Sequence, residues 1–404
     1  MVAARGPLSG AGGVTDRLLL GLDEGTTAVK ATLFDERLRP VREARRDKVN
    51  RHPQPGWVEQ DAEEVLQAVV AAIGELLEDA PGEVVACGID HQGESVLAWD
   101  AHTGAPLTPI VVWSDKRSQT ILDRLDDGEA IRDRSGLPLD PYVSAGKLAW
   151  LLEHDESVQA AREAGTLRMG TVDSFLCDRL GAGFATDTST ASRTQLQAIG
   201  ASGFDPWLCE RFGIDPQVLP EVLDTAGDLG ALRHPDWPIE LPLRARTVDQ
   251  QAALAGAGCV VPGRVKATYG TGVFVLAHVG EGVPEPAGGL LPTVAWQIAG
   301  RIEYALDGGV FSAGSMLDWL CRELGLAPTA PELSALANQV PDSAGALVLP
   351  ALSGVGAPWW KPDARAVLAG LHAGTTGAHV ARAALEGIAW RVADVVEAIR
   401  QSSE

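Results

Sequence analysis

No CxxC pair occurs in this chain: its five cysteines, Cys87, Cys177, Cys209, Cys259 and Cys321, stand far apart and are odd in number. That spacing offers no disulfide framework and predicts buried free thiols in a reducing, cytoplasmic compartment. Basic residues are scarce, 33 Lys and Arg against 54 Asp and Glu, for a net charge of −21. The deficit argues against a nucleic-acid backbone or an anionic membrane surface as the main partner. A phosphate ligand is still allowed, because backbone N–H groups and a bound cation neutralise phosphate locally. No apolar run is long enough to span a bilayer, and "LLLGL" (18–22) is only strand length. Residues 1–17 are rich in Gly and Ala and lack the apolar core of a secretory signal, which predicts a disordered tail. Also missing are a Gly-Lys-Ser/Thr Walker ending, a Gly-x-Ser-x-Gly elbow, a His-Glu-x-x-His pair and a dinucleotide-binding fingerprint.

What is there describes an ordinary globular protein, 46% apolar and 22% charged, whose 404 residues predict two domains. Apolar alternation predicts strands near 18–23, 28–34 and 84–90. Between them "DAEEVLQAVVAAIGELLE" puts Val65, Leu66, Val69, Val70, Ile73, Leu76 and Leu77 on one helical face, with Asp61 and Glu64 as a capping box. The Pro-rich stretch 215–242 reads as irregular connection. After it "RARTVDQQAALAGAG" reads as a strand entering a helix whose first turn holds Asp249. The expected division is a tail at 1–17, a first domain at 18–255 and a second at 256–404. Beyond the boundary, "VKATYGTGVFVLAHVG" (265–280) matches the opening stretch in pattern: strand, Gly-Thr turn, strand. Internal duplication of a phosphate-gripping hairpin and coincidence both account for the pair. Strands "IEYALDGG" and "ALVLPAL" and helices "GSMLDWLCRELG" and "HVARAALEGIAWRVADVVEAI" fill the remainder.

Each motif admits a bland and a sharp reading. In "LDEGTT", Asp23 can hold Mg²⁺ while Gly25, Thr26 and Thr27 offer N–H groups and hydroxyls to phosphoryl oxygens; the bland reading is a decorated hairpin turn. Gly270-Thr271-Gly272 poses the same choice. Asp249 is either a helix N-cap or the general base that takes the proton of a substrate hydroxyl, with Gln250 bonding the same substrate. Periodicity alone assigns Glu94 in "DHQGES" and Tyr142 in "DPYVSAGK" to the surface. His91 has no second ligand at metal spacing, which makes it a surface or supporting residue. Trp99, Trp113, Trp150, Trp359 and Trp360 read as core.

Together "GLDEGTTAVKATLFD", "PGWVEQD", "GIDHQGESVLAWDAHTGAPLTPIVVWSDKRS", "DPYVSAGKLAWLLEH", "DTSTASRTQL", "VDQQAALAGAG", "TYGTGVF", "YALDGGVFSAGSMLDWL" and "LSGVGAPWWKPDAR" resemble the FGGY carbohydrate kinases, most closely the glycerol kinase branch. Two segments, Tyr142 to His154 and Ala366 to Glu386, resemble the family's signature patterns. The resemblance implies an α/β fold of two actin/hexokinase-like (ribonuclease H-like) domains around a cleft that closes on binding. It also implies transfer of the γ-phosphoryl of ATP, with Mg²⁺, to a primary hydroxyl of a small polyol or ketose. By the same carry-over, Asp23 belongs to the metal-phosphate group, and Thr26, Thr27 and Lys30 to the first phosphate loop. Gly270 and Thr271 fall in the second loop, with Gly314 and Asp318 near the nucleotide. Gln92, Glu94, Tyr142, Asp249, Gln250 and Phe274 fall on the polyol side, Asp249 being the base. A homodimer is a candidate assembly.

Two departures accompany the resemblance. Gly93 stands where the glycerol kinase pattern has an arginine, which implies open space in place of a bidentate donor and a longer polyol or a ketose as acceptor. Family members also continue past the helix that ends here at Glu404, which implies an incomplete, less stable second domain with exposed apolar surface. That leaves a rival reading, a catalytically impaired sugar-binding or regulatory remnant. A third, an actin-like ATPase acting on partners, is opposed by the polyol-side residues.

Overall fold

The computed structural model describes residues 17–285, 288–361 and 363–402. Apart from Arg17 the expected tail lies outside the described residues, as does Glu404. Strand β1 (Arg17–Glu24) buries Leu18, Leu20 and Leu22 by simple alternation. A tight Gly-Thr-Thr turn leads into β2 (Ala28–Phe34), and β3 (Pro40–Asp47) completes an antiparallel meander. Helix α1 (Ala62–Glu78) lays its predicted apolar face on β2 and β3, with the Asp61 side chain accepting from the N–H groups of Glu63 and Glu64. Only that half of the capping box forms: the Glu64 carboxylate accepts instead from Arg51 Nη2 at 2.6 Å.

Strand β4 (Glu83–His91) runs parallel to β1, and β5 (Leu241–Val248) runs parallel to β4. With Ala231–Leu232 at the edge, the sheet order is 231–232, β5, β4, β1, β2, β3. The stretch 215–242 is less irregular than expected, holding a 3-10 turn at Pro216–Val218 and strands Glu221–Leu223 and Ala231–Leu232, pieces too short for periodicity to announce. A smaller sheet (Glu59–Gln60, Ile110–Val111, Val96–Asp100, Leu167–Thr171) packs with helix α2 (Ser144–His154) around a second core that includes Val96, Leu148 and Met169.

Because β1, β4 and β5 are parallel, their carboxyl ends reach one level. Asp23, Asp90 and Thr247 lie side by side there, and Val248 leads directly into the next helix. Ligands of open α/β sheets bind at that edge.

The second half is a sheet of β6 (Val265–Tyr269), β7 (Val273–Gly280), β8 (Leu291–Ile298) and β9 (Arg301–Val310), antiparallel throughout, in the order β6, β7, β9, β8. The long C-terminal helix Gly377–Ser402 buries Ile388, Val392 and Val395 against it. A polar seam joins the halves. Helix α3 (Thr188–Arg193) faces β8, with Thr188 Oγ1 donating to Gln297 Oε1 (2.9 Å) and Ser192 Oγ 3.2 Å from Thr293 Oγ1. All five cysteines are buried and unpaired. No helix among the described residues is long and apolar enough to cross a membrane.

Candidate active site

The first Gly-Thr turn is pinned from behind. Gly25 N–H donates to the Ala28 carbonyl (3.1 Å), Gln60 Nε2 donates to the Thr26 carbonyl (2.7 Å), Trp113 Nε1 donates to Thr26 Oγ1 (3.0 Å), and Lys48 N–H donates to the Thr27 carbonyl (2.9 Å). With its carbonyls so engaged, the turn's remaining N–H groups, those of Thr26 and Thr27, have no backbone acceptor among the described residues. Lys30 Nζ lies 3.6 Å from Asp23 Oδ2, both half-exposed at the turn's mouth. Glu24 points the other way, into the protein, where it pairs with buried Lys48 and accepts from Gln92 Nε2 at 3.1 Å.

At the carboxyl ends of β1 and β4, carboxylates crowd together. Burial, followed by the charges of Asp23 and Asp249, pushes the Asp90 carboxyl up to about 8. Asp249 opens α4 (Asp249–Gly256), and burial, reinforced by the negative charge of Glu94, pushes it up to about 6. Val248, not Asp249, occupies the N-cap position of α4, and hydrogen bonding from Gln250 draws the raised Asp249 carboxyl partly back down.

Beside it opens a cavity of about 130 Å³, the size that a single small organic molecule fills. Thr26, Gln92, Glu94, Tyr142, Asp249 and Gln250 all line it, with Phe274 as an apolar wall. Glu94 is buried, not a surface residue: its Oε1 accepts from Tyr142 OH (2.6 Å) and from Arg193 Nε (2.7 Å). Its φ is +60°, with Ser95 N–H closing onto the Gly93 carbonyl at 2.8 Å. This is a strained three-residue turn. Tyr142 is steadied from behind by buried Lys147, whose Nζ donates to the Tyr142 and Val143 carbonyls (2.7 and 3.0 Å). Gln92 borders the cavity but spends its amide elsewhere, on Glu24, Gln60 and Ser95. Gln250 Oε1 accepts from Lys266 Nζ at 2.8 Å.

Gly93 itself lines the cavity. A Cβ there would lie 2.7 Å from Val248 Cγ1, a stiff β-branched neighbour, so a side chain at this position needs Val248 to shift. The guanidinium present comes from Arg193 at the end of α3.

The second Gly-Thr turn, between β6 and β7, carries helix α5 (Gly314–Arg322) on its carbonyls. Gly314 N–H donates to Gly270 (3.0 Å), and Ala313 and Ser315 N–H donate to Thr271 (2.9 and 3.1 Å). Gly270 and Thr271 are exposed, and Asp318 is exposed one turn into α5. None of Asp23, Thr27, Lys30, Gly270, Thr271, Gly314 or Asp318 lines the cavity; they lie at the two turns and on α5.

His91 is fully buried behind the carboxylates, 2.9 Å from Thr190 Oγ1 and 3.5 Å from Asp173 Oδ1, so the surface alternative is excluded. Trp99 is core, whereas Trp113 lines the cavity and Trp359 is exposed, contrary to the expectation of core for all. Sequence reasoning passed over Asp90, Arg193 and Asp307. Asp90 ends an apolar strand as Asp23 does, which was a usable signal; Arg193 and Asp307 sit in stretches whose burial no local pattern reveals.

A two-domain α/β molecule with paired Gly-Thr hairpins and a carboxylate-lined cavity sized for one small organic molecule defines a sugar-kinase class of protein. Comparison with known proteins narrows it. Residues 18–256 match the N-terminal domain, and residues 265–404 the C-terminal domain, of the FGGY family of carbohydrate kinases. The chain is 43% identical over 389 residues to a glycerol kinase of Alkalilimnicola ehrlichii, covering 94% of this chain and 79% of that one. It is 42% identical over 401 residues to a glycerol kinase of Stenotrophomonas maltophilia, covering 96% and 80%. Among solved structures it is similar to the glycerol kinase of Plasmodium falciparum with ADP (TM-score 0.90, 30% identity, 96% of this chain and 79% of that one). A xylulose kinase from Brucella ovis is also similar (TM-score 0.86, 26% identity, 95% and 79%). The chain spans about four fifths of the length of these relatives. It belongs to the FGGY family of carbohydrate kinases. It is an ATP-dependent phosphotransferase acting on an alcohol group, and it uses ATP with Mg²⁺. The matches run through both halves and do not favour the sugar-binding remnant.

Proposed function

We propose that the acceptor is a small polyol or ketose held in the cavity beside Asp249, and that Asp249 is the base for its primary hydroxyl. The carrying observation is one carboxylate, pushed to about 6, on the wall of a cavity lined by Glu94 and Tyr142. At that position it is ionised at neutral pH yet basic enough to take a proton as the bond to phosphorus forms. The acceptor oxygen forms its bond to the γ-phosphorus, the bond to the β-phosphate oxygen breaks, ADP leaves, and the hydroxyl proton rests on Asp249. Glu94 and Tyr142 orient the acceptor, Phe274 supplies an apolar wall, and Gln250 is held toward the site by Lys266. The similarity to glycerol kinases supports a polyol.

The two turns are the phosphate grips in this reading: Thr26, Thr27 and Lys30 in the first, Gly270 and Thr271 in the second, with Gly314 and Asp318 on the nucleotide side. Asp23, with Asp90, suits Mg²⁺. Both are hard oxygen donors, and the crowding that raises Asp90 is what a divalent cation relieves. Among the described residues no group of three or more His, Cys, Asp or Glu forms a protein-only cage. When bound, Mg²⁺ supplies charge neutralisation on the transferred group. Five buried, unpaired thiols support a cytoplasmic location. A homodimer is proposed on resemblance alone and is tested by light scattering of the purified chain. The test of function is ADP release with Mg-ATP across a panel of polyols and ketoses; no acceptor-dependent release from any of them would overturn the proposal.

A further inference from the structure

Arg193 is a buried guanidinium, 5% exposed, in a chain where nothing yet assigned requires it. Its Nε donates to Glu94 Oε1 at 2.7 Å, its Nη2 lies 3.3 Å from Asp307 Oδ2 on β9, and its Cζ lies 5.4 Å from the centre of the Tyr142 ring. It therefore reaches from α3 in the first half to β9 in the second across the cavity wall. Two atoms of this bridge are left over. Arg193 Nη1 and Asp307 Oδ1 are both buried and have no hydrogen-bond partner, and both residues line the cavity. A buried donor and a buried acceptor, each unsatisfied, are costly in the empty protein unless a ligand completes them. The ligand that completes both at once is a hydroxyl, which accepts through a lone pair and donates through its O–H. A carboxylate serves Nη1 but opposes Asp307, and an ammonium does the reverse. The apolar remainder, Val248, Phe274 and Leu276, suits the carbon chain that carries such a hydroxyl.

We propose that Arg193 and Asp307 form a second hydroxyl-binding pair, and that this pair selects neutral acceptors bearing a hydroxyl beyond the one phosphorylated. The inference rests on the kinase reading of this cavity and adds to it the residues that decide which acceptor enters. Glu94 is shared: it orients the acceptor with Tyr142 and fixes the guanidinium through Nε. The pair also spans the two halves, so the selected hydroxyl is gripped from both sides of the seam.

The experiment compares acceptors that differ by one non-reacting hydroxyl, glycerol against 1,3-propanediol and xylitol against its monodeoxy analogues, in wild type, R193K and D307N. Lysine keeps the charge and the reach to Glu94 but lacks the fork, and asparagine keeps the shape of Asp307, so both limit damage to folding; thermal melts accompany the kinetics. Wild type is expected to prefer one hydroxyl-bearing member, and in R193K its KM rises about 10- to 100-fold while the matching deoxy analogue shifts by less than about threefold. D307N reduces the same preference. A preference unchanged in R193K, or a parallel loss for both members as a merely structural role produces, overturns the inference while leaving the kinase reading intact. A wild type that phosphorylates no acceptor overturns that reading and the inference with it.

Discussion

At the scale of single residues, two carboxyls with raised pKa values make opposite demands on pH. In the proposed role of base Asp249 must be ionised, and its carboxyl sits at about 6 because burial and Glu94 disfavour the charge. Below that value the base is protonated, so kcat/KM is expected to fall about tenfold per pH unit on the acid side and to level off above it. Asp249→Asn is expected to lower kcat by roughly 10²- to 10⁴-fold while calorimetry still detects acceptor binding; near-normal turnover would remove Asp249 from the role. Asp90 shows its effect in stability. Its folded-state value of about 8 lies above the ordinary 3.8. Between those limits the folded protein holds a proton that the unfolded chain releases, so its stabilising contribution is full below about pH 4 and lost as pH rises toward 8. Asp90→Asn removes that slope. The variant is expected to melt higher than wild type at pH 8 and nearly unchanged at pH 4, at the expense of activity. Equal melting differences at both pH values would show that the crowding around Asp90 is not what limits stability.

At the scale of elements, the second Gly-Thr turn and α5 are one unit, because the helix's first N–H groups rest on the turn's carbonyls. A Cβ on Gly314 would lie 2.5 Å from the Gly270 carbonyl oxygen, a backbone atom that cannot swing aside. Gly314→Ala is therefore expected to lift α5 from the turn and raise the KM for ATP by up to about 100-fold, with the KM for the acceptor near that of wild type. Initial-rate kinetics with each substrate varied in turn decide it, and an unchanged KM for ATP would detach this turn from the nucleotide. Elements like these were legible in the sequence for a definite reason. The apolar positions of α1 repeat at helical spacing, and each hairpin announces itself as two apolar runs around a Gly-Thr turn. Glu94 was not legible from pattern alone. Its burial is created by Tyr142 and Arg193, 48 and 99 residues away in sequence, and only resemblance pointed to it. Whether position 93 can carry a side chain was not legible either, because that depends on Val248, which arrives on a different strand. Asp307 escaped both routes, being a strand residue whose partner lies in the other half of the molecule.

At the scale of the whole molecule, the two hairpins share a turn but not a setting. In the first half β1 is central, with β2 on one side and β4 on the other. In the second half β6, its counterpart before the turn, lies at the edge of the four-stranded sheet, with Val265 and Tyr269 40% and 64% exposed. A central strand opens only when its sheet opens, whereas an edge strand loses pairing on one side alone and frays at low cost. Amides of Val265–Tyr269 are therefore expected to exchange with solvent faster by orders of magnitude than those of Leu18–Asp23 in the same hydrogen-exchange experiment. Mg-ADP adds a discriminating arm. If Gly270 and Thr271 grip phosphate, ligand binding stabilises the hairpin they join and slows exchange along β6 and β7, while β1, already protected by its two neighbours, changes little. Equal protection of the two hairpins without ligand would contradict the edge argument. Unequal protection that Mg-ADP leaves unmoved would keep the edge argument but remove the second turn from the nucleotide site, leaving Asp23 and the first turn as the phosphate contacts to be tested next.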